Sequence, residues 1–505
     1  MFAGSDVLSA LSEEVFAVGR LRRMGSRATV GAALALSVAV GCGGGGTSTT
    51  GTGPVRGEST TVTVVASSAG NDQLVQFYVT LNSLTLTSAS GKTTVPLLTE
   101  PQQVEFMHLN GGAEPLVTLS VPQDLYTKAT MTLSGGSFVC AAQQSGSNVT
   151  AHYSIAPSQA TVQLPEPLTI DGSAMALTLE MLVGQSATLP SNCYEQGFAG
   201  DSMTPTFNLT AMTGSAQPAN VTNVKMTALE GLVTNATAGP SSFGVTAADS
   251  TAVGTTLSTT WLVKTTTNTV FQGIGNAAGL TAGMPVDIDG TLDADGSVAA
   301  TRVAVIDPNT TNLTVNSGPL IQVAASVPML NQVNQLAEGP QQYVRGWPAF
   351  SYSNTAFASW GGLTNVASLP FAASFDAGNV VPGQMVAITS HVTEVGSYPT
   401  YVPAATVTLM PQTIDGTVTA TGTAGGFTTY TVELAAYDFF PQFAVQGGQT
   451  TLLTNPQQVA VYADASTQAV GGGVSSNLGR FTGVIFNDGG TLRMDATQVA
   501  PGVAE

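Results

Sequence analysis

Two stretches of the chain repeat one another at a fixed spacing. Gly283-Met284-Pro285-Val286-Asp287-Ile288 and Gly383-Gln384-Met385-Val386-Ala387-Ile388 each place a turn glycine before alternating residues that read as a strand. The hairpin after the first stretch recurs near the carboxyl terminus. Gly290-Thr291-Leu292, Asp295-Gly296 and Ala300-Thr301-Arg302-Val303 correspond to Gly483-Val484-Ile485, Asp488-Gly489 and Ala496-Thr497-Gln498-Val499. Asp-Gly between such runs marks a hairpin, because both central positions of a type I′ turn need positive φ. Three segments also open alike, with glycine two residues after an aliphatic: Leu229-Glu230-Gly231, Val344-Arg345-Gly346 and Ile414-Asp415-Gly416. A glycine inside a strand marks a bulge or bend, which lets one strand serve both halves of a small barrel. The copies are expected at 226–306, 341–410 and 412–501. The middle copy is divergent, with Val395-Gly396-Ser397-Tyr398-Pro399 where the others have Asp-Gly. Residues 307–340, with Gly318-Pro319 and Gly339-Pro340, read as a linker with room for one short helix at 328–336.

The recurring order Gly-x-x-Val-x-Val, Gly-Thr, Asp-Gly, Ala-x-x-Val resembles a family of small β-barrel domains of unknown function. Those domains occur in tandem in bacterial secreted and lipoprotein chains. The resemblance implies a five- or six-stranded, OB-like barrel and brings no catalytic residue with it.

Residues 57–215 carry a different pattern. Short β-branched runs about ten residues apart, such as Thr61-Val62-Thr63-Val64, are divided by turn residues such as Ser90-Gly91 and Gly111-Gly112. That spacing predicts an antiparallel β-sandwich. Val121-Pro122-Gln123-Asp124-Leu125-Tyr126 resembles the Pro-x-x-x-Tyr lead-in to a strand in an uncharacterised β-sandwich domain of bacterial lipoproteins. Cys140 and Cys193 lie within this region, and in an oxidising compartment such a pair is expected to be a disulfide.

The amino terminus supplies the compartment. From Arg20 a basic RLRRMGSR is followed by ATVGAALALSVAV and Gly41-Cys42. Thirteen residues of helix span about 20 Å, short of the ~30 Å hydrocarbon core, so 1–41 read as a signal peptide and not as a membrane span. Glu13 and Glu14 precede the basic region, which places the expected translation start at Met24. Ala39-Val40-Gly41-Cys42 resembles the lipobox of bacterial lipoproteins, which implies lipidation of Cys42, and Gly43 after it implies sorting to the outer membrane. Residues 42–56 read as a flexible Gly/Ser/Thr tether. The fold class expected is therefore all-β: a signal peptide and tether, an N-terminal β-sandwich, then tandem OB-like barrels.

Charge and side-chain chemistry narrow the function. A net charge of −18 argues against nucleic acid as a partner, because phosphate binding needs clustered Lys and Arg. His108, His152 and His391 are scattered, and no HExxH, GxSxG, GxxxxGK or strand-following GxGxxG is present, so no catalytic residue and no cofactor is assigned. The acidic run with Asp287, Asp289, Asp293 and Asp295 invites a calcium reading. With Gly296 at loop position six, however, Thr291 stands at position one and Arg302 at position twelve, so these four are weak metal candidates. Alternation predicts Asp287 and Asp289 together on a solvated strand face. The aromatic stretch holding Tyr343, Trp347, Tyr352 and Trp360 reads either as packing between barrels or as a face that stacks on sugar rings. The function expected is non-enzymatic binding, adhesion or structure in the cell envelope. The partners would be the membrane, through the lipid, and a glycan or envelope protein. The alternatives are a polysaccharide-processing hydrolase with paired carboxylates and a calcium-dependent adhesin.

Overall fold

The computed structural model describes residues 57–502, apart from 99, 108, 111, 145–146, 187–188, 190–192, 194–202, 213–224, 236–240, 248–259, 294–295, 307–312, 325–326, 331–333, 338–349, 353, 361–365, 392–401, 437, 445–452, 470–471 and 475–476. The signal segment, Cys42 and its tether lie outside the described residues, as do His108, Asp295, Tyr343, Trp347 and the stretch 395–399.

Residues 59–212 carry one eleven-stranded sheet wrapped around its own core. Its strands are β1 (Ser59–Ala69), β2 (Leu74–Ser88), β3 (Thr94–Pro96), β4 (Gln102–Glu105), β5 (Ala113–Pro122), β6 (Asp124–Gln144), β7 (Ser147–Ile155), β8 (Ser158–Gln163), β9 (Leu168–Ile170), β10 (Ala174–Leu182) and β11 (Thr206–Met212), with a one-turn helix α1 (Val183–Ser186) between the last two. The order is β3-β2-β6-β8-β11-β10-β1-β5, with β4 on β2 and with β7 and β9 on β6. The sheet is mixed, where even spacing of the strands predicted antiparallel pairing throughout: β1 runs parallel to β10, and β8 parallel to β11. Spacing reports where strands lie, and crossovers between distant strands decide their sense. Phe77, Phe106, Phe138 and Phe207 fill the core. The Pro-x-x-x-Tyr lead-in has a physical cause: Tyr126 is fully buried, and its hydroxyl donates to the Pro122 carbonyl at 2.9 Å. Cys140 on β6 is bonded to Cys193, with Cα atoms 6.3 Å apart.

Three barrels come next along the chain. The first has β12 (Lys225–Asn235), β13 (Ser242–Ala247), β14 (Thr260–Lys264), β15 (Val270–Gln272), β16 (Pro285–Leu292) and β17 (Val298–Val305), in the order β14-β13-β12-β16-β17-β15, closed by β14 against β17. The second has β18 (Leu313–Ala324), β19 (Val327–Leu330), β20 (Asn334–Ala337), β21 (Phe350–Ser351), β22 (Ala356–Ser359), β23 (Met385–His391), β24 (Val402–Pro403) and β25 (Thr406–Leu409). The third has β26 (Gln412–Ala424), β27 (Phe427–Glu433), a one-turn helix α2 (Phe439–Ala444), β28 (Gln458–Ala463), β29 (Gln468–Ala469), β30 (Leu478–Asp488) and β31 (Thr491–Pro501). It repeats the first in every pairing, β28-β27-β26-β30-β31-β29 with β28 closing on β31.

The second barrel begins earlier than the sequence suggested. Residues 307–340, read as a linker with one helix, carry β18, β19 and β20 instead. The glycine that opens this copy is Gly318, opposite Val386, just as Gly231 stands opposite Val286 and Gly416 opposite Gly479. Pro319 hid the strand, because proline inside a run argues against a central strand. It is tolerated here because β18 changes partners at that point, from β20 (Thr314 to Ser317) to β19 (Leu320 to Ala324).

One hydrogen bond recurs in all three barrels. The hydroxyls of Thr269, Thr355 and Thr467 donate to the carbonyls of Ala300, Ala404 and Ala496 at 2.7, 2.7 and 2.8 Å. These alanines begin the Ala-x-x-Val of each copy, including Ala404-Ala405-Thr406-Val407 in the middle one. The threonine pins the segment after the third strand to the last strand, where the barrel closes.

Candidate functional site

The residues with the strongest chemistry meet where the first barrel touches the second. Asp287 and Asp289 point to the same side of β16, as alternation requires, and Arg302 stands on β17 opposite Asp289. The Arg302 guanidinium donates through Nε to Asp289 Oδ2 at 2.8 Å and through Nη2 to Asp287 Oδ2 at 2.5 Å. Trp360, just past β22 of the second barrel, lies over the guanidinium with 4.4 Å from Cζ to the ring centroid, and its Nε1 donates to Asp287 Oδ2. Asp287 is 2% exposed, Asp289 8% and Arg302 5%. The sequence expectation of a solvated face is therefore corrected. The two carboxylates do share a face, but the second barrel covers it and Arg302 neutralises one of them.

The electrostatics result from that burial. Burial raises the Asp287 carboxyl above the ordinary range, Arg302 opposes this, and Asp289 adds to it. Burial lowers Arg302, but the two carboxylates more than reverse this and hold the guanidinium well above its usual value. Asp287 Oδ1 and Arg302 Nη1 are buried without a hydrogen-bond partner. The equivalent positions elsewhere are uncharged or differently charged: Ala387, Thr389 and Thr406 in the second barrel, Arg480, Thr482 and Gln498 in the third. The cluster thus belongs to the first barrel alone.

Asp293 lies apart from this group. It accepts from Lys264 Nζ and Ser297 Oγ, each at 3.2 Å, in the hairpin closed by Gly296 at φ +82°. That hairpin presses on the sandwich: a Cβ on Gly296 would fall 2.0 Å from Thr63 Oγ1. Among the described residues no three His, Cys, Asp or Glu are grouped to hold a metal ion. His152 lies on β7 and His391 ends β23. Tyr352 is half-buried with its ring edge-on to Phe357.

A second place brings modules together. Sandwich, second barrel and third barrel enclose a cleft of about 90 Å³, with Asp72, Met107, Asn110, Met385, Gln412 and Phe439 on its walls. Its polar groups are engaged in joining the modules. Asp72 Oδ2 accepts from the Asp415 amide at 2.7 Å and its carbonyl from the Phe439 amide at 2.8 Å, while the Thr413 hydroxyl donates to the Asn110 carbonyl at 2.7 Å. Close by, Arg480 donates to the Ser68 carbonyl at 3.3 Å and stands 3.6 Å from Asp415. Glu180 on β10 faces Arg480, and burial raises its carboxyl despite that charge.

The third barrel holds one further perturbed acid. Burial, reinforced by the neighbouring Asp464, pushes Asp495 up to about 6. Asp464 is itself fixed by accepting from the Ser466 amide at 2.7 Å and the Ser466 hydroxyl at 2.6 Å.

Sequence reasoning placed Asp287 and Asp289 together on one face, named Trp360 apart from them and treated Arg302 only as an obstacle to calcium. Their meeting was missed, and so were Asp72, Asp415 and Asp495. The usable signal was Arg302 itself, a cation on the hairpin arm opposite the two acids. No curated protein matches the chain. Residues 230–304, within the first barrel, match a family described as a domain of unknown function (DUF5666).

Proposed function

We propose that this chain is a lipid-anchored protein of the bacterial cell envelope, whose folded body works by non-enzymatic binding, adhesion or structural support. The observation that carries the reading is where the buried ionisable groups are used. Asp287, Asp289 and Arg302 fasten one barrel to the next, and Asp72, Asp415 and Arg480 fasten the third barrel to the sandwich. The described residues, from Gly57 onward, form one compact unit. A body with fixed geometry behind a Gly/Ser/Thr tether suits display of a surface at a distance from the membrane. The anchor is the lipid on Cys42, attached after removal of 1–41, and the location is the outer membrane.

Two measurements test this. Cells fed a radiolabelled fatty acid should label the wild-type chain and not Cys42→Ala, and only the wild type should fractionate with the outer membrane. Equal labelling, or recovery of both from the soluble fraction, removes the anchor. A glycan and envelope-protein binding screen, run beside a hydrolase panel, should return binding without turnover. The hydrolase alternative has one observation in its favour, the raised Asp495 beside Asp464. Turnover that disappears in Asp495→Asn would establish it in place of the binding reading.

A further inference from the structure

The ribbon β28-β27-β26 runs past the body of the third barrel. β30 accompanies β26 only from Gln412 to Thr417, whereas β27 stays with it to the tip, where Ala424 faces Phe427 across Gly425 and Gly426, both at positive φ. On the other side β28 covers β27 as far as Thr428. One edge is left, along residues 419–424 of β26, and Thr419, Ala420, Thr421, Gly422 and Thr423 are all exposed. Among the described residues no strand pairs with that edge.

Exposed edges offer unpaired backbone N–H and C=O groups, and proteins commonly guard them with Lys, Pro or inward-facing charge. From Gly416 to Val432 the sequence has no charged residue and no proline. Only the register shift between Val418 and Ala420 interrupts the edge. The backbone chemistry specifies the occupant as an extended strand. Net charge narrows it further: at −18, two copies of this chain repel over most of their surface, and this uncharged segment is where they can approach.

We propose that residues 419–424 are a self-association edge, pairing antiparallel with the same segment of a second copy about a two-fold axis. The incoming strand continues the lane that β30 leaves at Leu478, with the same antiparallel sense. Antiparallel pairing of a strand with its own copy closes at two and leaves no further edge. With the axis at Thr421, Thr421 faces its own copy and Thr419 faces Thr423, a threonine pairing the molecule already uses at Thr413 with Thr482, 2.9 Å apart. Six residues a side fall short of the roughly 1,000 Å² of a stable complex, so a dissociation constant of about 0.1 mM is expected, strengthened when copies share a membrane.

The test uses the full chain carrying Cys42→Ala, so that acylation cannot bring copies together. Sedimentation from about 5 to about 500 µM should show a monomer that becomes a dimer at the upper end. Thr421→Glu with Thr423→Glu should weaken the dimer at least about ten-fold by placing like charges across the axis. As an independent measurement, Thr421→Cys should cross-link to its copy under mild oxidation far faster than Ser466→Cys, which is exposed elsewhere on the same barrel. A monomer at every concentration, a dimer indifferent to the two glutamates, or equal cross-linking at both cysteines overturns the proposal.

Discussion

Arg302 shares one positive charge between two carboxylates out of water, which makes it the residue most exposed to failure by substitution. Arg302→Met leaves Asp287 and Asp289 buried without the guanidinium from which both accept. The expected loss is about 3–5 kcal/mol in urea unfolding, the range for breaking a buried ion pair. Replacing all three charges, Asp287→Leu with Asp289→Leu and Arg302→Met, should recover most of that loss, because the desolvation cost disappears with the charges. If the triple variant is no more stable than Arg302→Met, packing and not charge governs the junction. Asp495 makes a separate prediction with a definite sign. Its folded value, about 6, lies above its ordinary one. A group raised in the folded state supports folding fully below its unfolded value, and that support is lost as pH rises through about 6. Asp495→Asn should therefore be more stable than wild type at pH 7.5, on the order of 1 kcal/mol once partial exposure is allowed for, and the gap should close by pH 4. A pH-independent difference in urea midpoints would contradict this.

The repeated elements explain their own glycines. Gly290 and Gly483 sit at register shifts in β16 and β30, and a Cβ there would lie 2.5 Å from the Ala299 carbonyl oxygen and 2.2 Å from the Asp495 carbonyl oxygen. Neither neighbour is a side-chain tip that can swing away. Gly290→Ala and Gly483→Ala should each cost about 2–4 kcal/mol, whereas Gly422→Ala, which meets only the Thr429 hydroxyl, should change stability little. Thermal unfolding of the three variants checks this. The sequence made these elements legible where a local cause acts. Pro122 and Tyr126, the Gly283 and Gly383 turns, the hairpin at Asp488-Gly489 and the Ala-x-x-Val of the third barrel were all readable, because each answers to a bond or a φ within a few residues. The turn itself shows the limit, for its two central residues are Gly489 and Gly490, both at positive φ, with Asp488 paired to Thr491. The second barrel was misplaced because Gly318-Pro319 looks like a break unless one knows that β18 changes partners there. Burial of Asp287 and Asp289 was out of reach for a related reason: the side chain that covers them, Trp360, is 73 residues away in another barrel.

At the scale of the whole molecule the modules share cores instead of merely touching. Val484 and Phe486 of β30 belong to the hydrophobic core of the second barrel, and Val65, Ala113 and Ala176 of the sandwich belong to that of the first. Gln384 adds a polar link, donating to the Ile485 carbonyl at 2.9 Å from a fully buried position. Separate domains with polar interfaces would melt one by one, but here unfolding one module strips apolar surface from its neighbour. Calorimetry should therefore give one dominant transition. Damage made in any module should move that same transition. Three changes far apart in the fold test it. Reducing Cys140–Cys193 frees a loop of 53 residues in the sandwich and should cost about 4 kcal/mol. Asp72→Ala removes the acceptor of the buried Asp415 amide between sandwich and third barrel and should cost about 1–3 kcal/mol. Arg302→Met acts between the first and second barrels. If each shifts the one transition downward without splitting it, the inter-module contacts couple the folding of the whole body. If reduction of the disulfide instead lowers a first transition and leaves a second where it was, the sandwich folds independently, and the shared cores contribute less than the internal ones.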